Sequence, residues 1–190
     1  MKKLLVLALV ALMASGALAQ EENEFGLWTD GEGGYANFKM IEQYAPFNLY
    51  ITLHNASVTS VGGYEVGWTM PALTIQNLDI YGGNNFGGAT NHLAGSPPPQ
   101  PVDGEIFICA TIGVISLTPP GELFESMMMA ADPPSIPGHN GPVISNGANP
   151  DDLIPCGFIT GQAHVFTFNA ESGPTAVENH SWTGVKALFD

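Results

Sequence analysis

Residues 47–70 read FNLYITLHNASVTSVGGYEVGWTM and alternate apolar and polar side chains on either side of a small polar turn. Successive side chains of an extended strand point to opposite faces, so each half of this stretch has one apolar face. Those faces consist of Phe47, Leu49, Ile51 and Leu53, followed after the turn at residues 55–63 by Tyr64, Val66, Trp68 and Met70. A strand that is apolar on one face needs a second layer to cover it, so the stretch predicts the inner face of a β-sandwich with Trp68 in its core.

Segments rich in glycine and proline separate further short apolar runs along the chain. This punctuation is typical of an all-β sandwich or barrel. Further strands are predicted within residues 73–81, 105–117 and 157–170. Residues 122–132 are filled with good helix formers and are ambiguous, but they are assigned to a strand because prolines bound them in an otherwise β chain. The run at 105–117 is either buried on both faces or bulged near Gly113. Residues 94–104, AGSPPPQPVDG, are predicted to form a compact loop inside the sandwich.

The N-terminus has the organisation of a secretory signal peptide. Lys2 and Lys3 precede the apolar run 4–12, and small residues follow up to Ala19. We expect cleavage after Ala19 and a secreted or periplasmic protein; the alternative is an uncleaved N-terminal anchor. Residues 1–19 are then the signal peptide, and residues 20–190 (190 − 19 = 171 residues) form a single domain with no membrane insertion after cleavage.

The C-terminal end predicts a short helix on this domain. Trp182, Val185 and Phe189 have helical spacing after a candidate cap at Ser181. The predicted fold is therefore a single immunoglobulin-like or cohesin-like antiparallel β-sandwich with a short C-terminal helix.

The charge of the chain narrows the range of partners. The formal net charge is −14, and loss of Lys2 and Lys3 with the signal peptide makes it −16. Only Lys39 and Lys186 then remain as cations, since the chain contains no arginine. Neutralising phosphate groups requires basic side chains, so nucleic-acid binding is excluded and docking on anionic membranes is disfavoured.

Two cysteines, Cys109 and Cys156, occur in a chain that is predicted to be exported. An even number of cysteines in an oxidising compartment favours a disulfide, here closing a loop of about 48 residues and adding ~4 kcal/mol of stability. The alternative is a pair of buried free thiols.

Candidate sites for chemistry are few. The five histidines lack metal-ligand spacing; His54 is expected to be exposed at a strand end, and His164 to be a partnered sheet residue. No G-x-S-x-G motif is present, and no catalytic, cofactor or metal residue is assigned. The oxygen-rich segments DGEGG (30–34) and NPDD (149–152) read as turns and are the two candidate sites for Ca²⁺.

The strand pattern resembles the early strands of cohesin-type and carbohydrate-binding-type β-sandwiches from secreted bacterial proteins. The matching positions are Leu49, Ile51, Leu53 and Asn55, then Gly63, Tyr64, Val66 and Trp68, then Pro71, Leu73 and Ile75. Residues 133–158 also resemble a proline- and asparagine-rich region of exported bacterial proteins of similar size. A cohesin would imply a dockerin partner, but neither resemblance carries a ligand residue over to this chain.

These observations predict a non-catalytic module that acts by surface interaction with a protein or glycan at the cell exterior: adhesion, scaffolding or self-assembly. The first alternative is a carbohydrate-binding module, for which Tyr50, Tyr81 and Phe86 form the candidate ligand surface. The second alternative is a small secreted hydrolase, because a fold does not decide a function.

Overall fold

The computed structural model describes residues 21–31 and 36–174, which contain thirteen strands in two sheets and no helix. The predicted all-β fold, consistent with a β-sandwich, is confirmed. The predicted signal peptide and C-terminal helix lie outside the described residues. The strands are β1 (Glu24–Trp28), β2 (Phe38–Lys39), β3 (Phe47–His54), β4 (Ser60–Trp68), β5 (Thr74–Ile80), β6 (Asn84–Asn85), β7 (Asn91–Pro101), β8 (Ile106–Ile115), β9 (Phe124–Met129), β10 (Val143–Asn146), β11 (Asn149–Pro155), β12 (Gly157–Phe158) and β13 (His164–Phe168).

The first sheet has five strands in the order β12-β1-β3-β8-β5. The second has eight, six of them in the order β11-β10-β4-β9-β13-β2, while β7 pairs with β4 and β6 pairs with β7. Pairing is antiparallel except between β1 and β12 and between β2 and β13. Most strands therefore have partners that are distant in the sequence, which a sandwich topology requires.

The core lies between the two sheets and is built by the alternation that opens the sequence. Leu49, Ile51 and Leu53 of β3 are fully buried, and Tyr64, Val66 and Trp68 of β4 are nearly so. These are the predicted inner faces, and Trp68 is in the core as expected. The largest aromatic contributions from other strands are Phe25, Phe166 and Phe168.

Bulges shift the register of β8 and β5. Cys109 is the extra residue in β8, because Ile51 pairs with Ala110 whereas Thr52 pairs with Ile108. The bulge predicted near Gly113 is instead on the neighbouring β5, where the register shifts between Ile75 and Asn77. The end of the Asn77 side chain occupies the space that a Cβ atom at residue 113 would need, so a larger residue there would displace this exposed side chain.

Two predicted loops are strands. Residues 94–104 were expected to form a loop, but most of them belong to β7, since the φ angle of proline is compatible with an extended chain. The NPDD segment, expected to be a turn, begins β11. The predicted turn at 55–63 is also shorter than expected, because β4 begins at Ser60.

The predicted disulfide is not formed in the structure. Cys109 and Cys156 are both buried free thiols. The Cys156 Sγ donates to the Ile154 carbonyl at a distance of 3.5 Å. Burial raises the pKa of the Cys109 thiol well above its usual value, with a smaller contribution from the nearby Cys156 thiol. Burial likewise raises the pKa of Cys156 to about 12. Both sulfurs are therefore protonated at neutral pH and poorly nucleophilic.

Candidate functional site

A groove of about 440 Å³ lies at one end of the sandwich, where the β4–β5 and β8–β9 connections meet. We call it the loop-end groove. Its walls are mainly apolar and rich in proline, with a few polar groups from the same connections. The lining residues are Ile41, Met70, Pro71, Ala72, Leu73, Ser116, Thr118, Pro119, Pro120, Gly121, Glu122, Leu123, Phe124 and Asn169.

Large apolar side chains are exposed at this end of the molecule. Leu123 lines the groove and is 59% exposed, and Leu117, between two lining residues, is 54% exposed. Tyr44 is 65% exposed and is held here by a 2.8 Å hydrogen bond from its backbone N–H to the Ser116 carbonyl. Isolated exposed apolar residues are common, but a cluster around a concave surface is typical of an interaction site.

Two polar side chains of the loop-end groove form hydrogen bonds within the protein. Asn169 accepts a hydrogen bond from the Ile41 backbone N–H at 3.2 Å and donates one to the Glu122 carbonyl at 3.0 Å. The Ser116 hydroxyl donates to the Thr118 carbonyl at 2.7 Å. These bonds hold the groove in shape, so a ligand would be retained mainly by apolar contact.

The three aromatic residues of the predicted ligand surface belong to different elements. Tyr50 is half-buried on β3 of the five-stranded sheet. Tyr81, 51% exposed, follows β5 and packs edge-on against Phe107 with ring centroids 5.4 Å apart. Phe86, 77% exposed, belongs to the β6–β7 turn of the eight-stranded sheet.

The Phe86 ring lies beside Gly95, which lines a shallow hollow on the eight-stranded sheet. A Cβ atom at residue 95 would lie 3.5 Å from the Phe86 ring, and Gly95 pairs with Gly63 across β7 and β4. Both glycines line a shallow hollow of about 140 Å³, together with Ser145 and Leu153. We call this surface the glycine hollow.

A buried polar cluster lies on β1 and β3. The Trp28 Nε1–H donates to the Thr52 hydroxyl at 2.9 Å, and Thr52 Oγ1 lies 2.9 Å from the His54 Nε2. The Thr52 hydroxyl can donate to an unprotonated Nε2 or accept from an Nε2–H, so a neutral ring fits this contact in either tautomer. Burial lowers the pKa of His54, which favours the same state.

His54 is therefore buried, contrary to the prediction that it is exposed. A hydroxyl bonded to an imidazole is the arrangement of an activated nucleophile. Here Thr52 is fully buried and its oxygen already accepts a hydrogen bond, so the pair supports the sheet without reaching a substrate. His164 contacts Thr167 Oγ1 at 3.0 Å, as a partnered sheet residue should.

A second buried polar pair lies inside the core. His92 is fully buried; its Nε2 lies 3.1 Å from the Ala89 carbonyl, and its Nδ1 lies 3.0 Å from the Tyr64 hydroxyl. A carbonyl only accepts, so Nε2 carries the proton and Nδ1 accepts from Tyr64. The ring is neutral in this arrangement, and burial lowers the pKa of His92 to about 4.

The candidate Ca²⁺ segments are only partly described. Residues 32–34 lie outside the described residues, and in the other segment Asp152 accepts a hydrogen bond from the Asn146 amide at 3.1 Å. Within residues 21–31 and 36–174, no three His, Cys, Asp or Glu side chains are grouped to hold a metal ion. No helix of the described residues has the length and hydropathy that a membrane span requires.

The loop-end groove was missed from the sequence. Its best signal is the pair of leucines that flank the turn TPPGE, Leu117 and Leu123, because turn segments normally carry polar side chains. The chain matches no protein-family model, and no curated protein matches it.

Proposed function

We propose that this protein is a non-catalytic exported module that binds a protein partner at the cell exterior through the loop-end groove. The observation that carries the proposal is the concentration of exposed apolar side chains, Leu117 and Leu123 above all, around a concave surface of about 440 Å³. Burying such side chains against a partner is favourable at roughly 25 cal/mol per Å² of apolar surface.

The internal hydrogen bonds of the groove support the same reading. Asn169 and Ser116 are bonded to backbone groups of the protein itself. A groove that is held open by its own polar contacts needs little rearrangement before it binds, and preorganisation of this kind favours affinity.

A selection of displayed random peptides on the full chain tests this function. We expect enrichment of peptides with large apolar residues and a loss of their binding in Leu123→Asp. The control is Leu153→Asp, since Leu153 is also exposed but lies on β11 away from the groove. Enrichment that survives Leu123→Asp, or no enrichment at all, would contradict the proposal.

Carbohydrate binding is the second candidate, and the glycine hollow favours it. An exposed aromatic ring beside the two glycines of the hollow offers a sugar ring a stacking surface, and Ser145 and Glu65 line the same hollow. A glycan array followed by NMR titration should then show binding that Phe86→Ala removes. Tyr44→Ala, at another exposed aromatic residue, is the control, and equal loss in both variants would rule out a site at the hollow.

A further inference from the structure

β5 is an edge strand of the five-stranded sheet. Its one partner among the described strands is β8, so its other side offers backbone N–H and C=O groups for pairing. Such an edge is a template for an added strand unless the protein blocks it. The inference about which segment pairs with this edge rests on the proposed binding function.

The other sheet ends are poorly suited to strand addition. β12, β2 and β6 have two residues each, and the part of β7 that β6 does not cover is rich in proline. β11 carries Pro150, Asp151, Asp152 and Pro155 on seven residues, and prolines and charges are the usual means of blocking an edge. β5 has seven residues without a proline. Its bulge at Gln76 leaves the regular run 77–80 paired to β8.

The side chains of β5 show that its inner face is incompletely covered. Ile75 and Leu78 pack against the core but remain half-buried, whereas Ile80 is buried. An added strand with apolar residues facing inward would bury the remaining surface of Ile75 and Leu78. Leu73, which directly precedes β5, lines the loop-end groove, so the edge and the groove meet where the strand begins.

The charges along this side of the molecule are negative. Asp79 is exposed on β5, Glu122 lines the groove at one end of the strand, and Asp103 lines a hollow with Tyr81 at the other. Lys39 is the one lysine or arginine in the part of the chain that the structure describes, and its Nζ lies 5.8 Å from the centroid of the Phe47 ring. A second copy of this acidic chain would be repelled, whereas a basic segment would be attracted.

We propose that β5 binds an extended segment of a partner protein by strand addition, with apolar residues facing inward and lysine or arginine beside Asp79. The backbone of β5 supplies the hydrogen bonds, the half-buried Ile75 and Leu78 supply apolar contact, and the carboxylates select the basic partner. The loop-end groove receives the apolar end of the same segment.

The test uses a blocked eight-residue peptide of alternating lysine and valine, with hydrogen–deuterium exchange on the full chain. The expected result is slower exchange of the edge-facing amides within residues 76–80, those that do not donate to β8, and no effect from the matched glutamate–valine peptide. Two N-methylated peptides, one modified at every valine and one at every lysine, should differ in their binding. Only one of these two sets of amides faces β5, and methylation of that set removes its hydrogen bonds. Protection elsewhere, no protection, equal effects of both charges, or equal binding of both methylated peptides would overturn the proposal.

Matched variants locate the effect. Asp79→Lys should lower the affinity for the lysine–valine peptide by about tenfold. Asp151→Lys makes the same charge change on the proline-blocked β11 edge and should leave that affinity nearly unchanged. Both positions are exposed, so both variants should fold. Equal weakening in both variants would show general charge attraction and would overturn the proposal.

The outcomes separate this inference from the proposed function. If Leu123→Asp abolishes selected-peptide binding while the β5 amides are never protected, the groove stands and strand addition fails. If the β5 amides are protected but Leu123→Asp has no effect on either peptide, strand addition stands and the groove fails. Slow exchange of the edge-facing β5 amides, those that do not donate to β8, in the dilute chain without peptide would show that a segment of the chain itself covers the edge, and would also overturn the proposal.

Discussion

His92 is a buried imidazole, and its hydrogen-bond partners indicate which of its two nitrogens carries the proton. Its Nε2–H donates to the Ala89 carbonyl, and its Nδ1 accepts from the Tyr64 hydroxyl. Protonation would make both nitrogens donors, and the Tyr64 contact could persist only if the hydroxyl turned to accept. The core therefore depends on a neutral side chain at this position.

This dependence predicts a loss of stability in acid. The pKa of His92 is lowered from 6.5 to about 4. The unfolded chain therefore binds the proton first as the pH falls. The stabilising contribution is complete above pH 6.5 and is lost as the pH falls towards 4, with a total of about 3 kcal/mol. Urea unfolding at a series of pH values measures it.

His92→Gln is the comparison for that experiment, since an amide keeps one donor and one acceptor. The variant should be less stable at pH 7 but should show a shallower decline between pH 6.5 and 4. Burial also lowers the pKa of His54, so part of the decline should remain. An unchanged slope in His92→Gln would contradict the assignment.

Cys109 and Cys156 give the second prediction at the residue scale. Both thiols are buried, and burial raises both pKa values. Iodoacetamide at neutral pH should therefore leave the folded chain unlabelled and should label two sites after unfolding in urea. Intact-mass spectrometry counts the labels; a product that is unlabelled in urea until a reductant is added would reveal a disulfide instead.

At the scale of the elements, the strands with clear alternation were predictable and those with turn residues were not. β3, β4 and β5 lie within or close to their predicted ranges, because apolar alternation reports the buried face directly. β9 was predicted from its β-rich surroundings although helix formers fill it, and the single strand predicted at 157–170 is two short strands, β12 and β13. β7 was missed because its run SPPPQP is read locally as a loop. Its extended form depends on pairing with β4, a contact that is distant in sequence.

The candidate site was less predictable than the fold for the same reason. The loop-end groove combines connections that are separated by about fifty residues, and no local pattern reports that they meet. Exposed aromatic residues were identified individually, but Tyr50, Tyr81 and Phe86 lie on different strands or turns. Which of them share a surface is decided by sheet order.

The close approach of β4 and β7 gives a prediction at this scale. A Cβ atom at residue 63 would lie 2.4 Å from the Ala94 carbonyl oxygen, which is backbone and cannot move aside cheaply. Gly63→Ala should therefore destabilise the protein by roughly 1–3 kcal/mol or more. Gly88→Ala is the matched control, since no atom lies within 4 Å of its Cβ position.

Urea unfolding of both variants measures the difference. Gly88→Ala should be neutral or slightly stabilising, because alanine restricts the unfolded chain. Equal destabilisation of both variants would mean that the contact between β4 and β7 is looser than the structure indicates.

At the scale of the whole molecule, the imbalance of charge dominates. The chain has 18 acidic residues against four lysines and no arginine. Exposed carboxylates such as Asp79, Asp103 and Asp151 have few cations to offset them, so the compact state carries a repulsion that the expanded chain relieves. This repulsion keeps copies of the chain apart and is also what would select a basic partner.

The last prediction follows from that repulsion. Raising NaCl from 0.02 M to 0.5 M shortens the screening length from roughly 20 Å to about 4 Å, so it should stabilise the folded protein by about 1 kcal/mol in urea unfolding. Choline chloride at the same ionic strength should act alike, because screening does not depend on the identity of the cation.

CaCl₂ and MgCl₂ at matched ionic strength also separate screening from a specific site. A larger shift with Ca²⁺ than with Mg²⁺ would indicate a calcium site, for which the DGEGG segment at residues 30–34 is the first position to mutate. Stability that falls as salt is added would show that attractive pairs outweigh repulsion in this acidic chain.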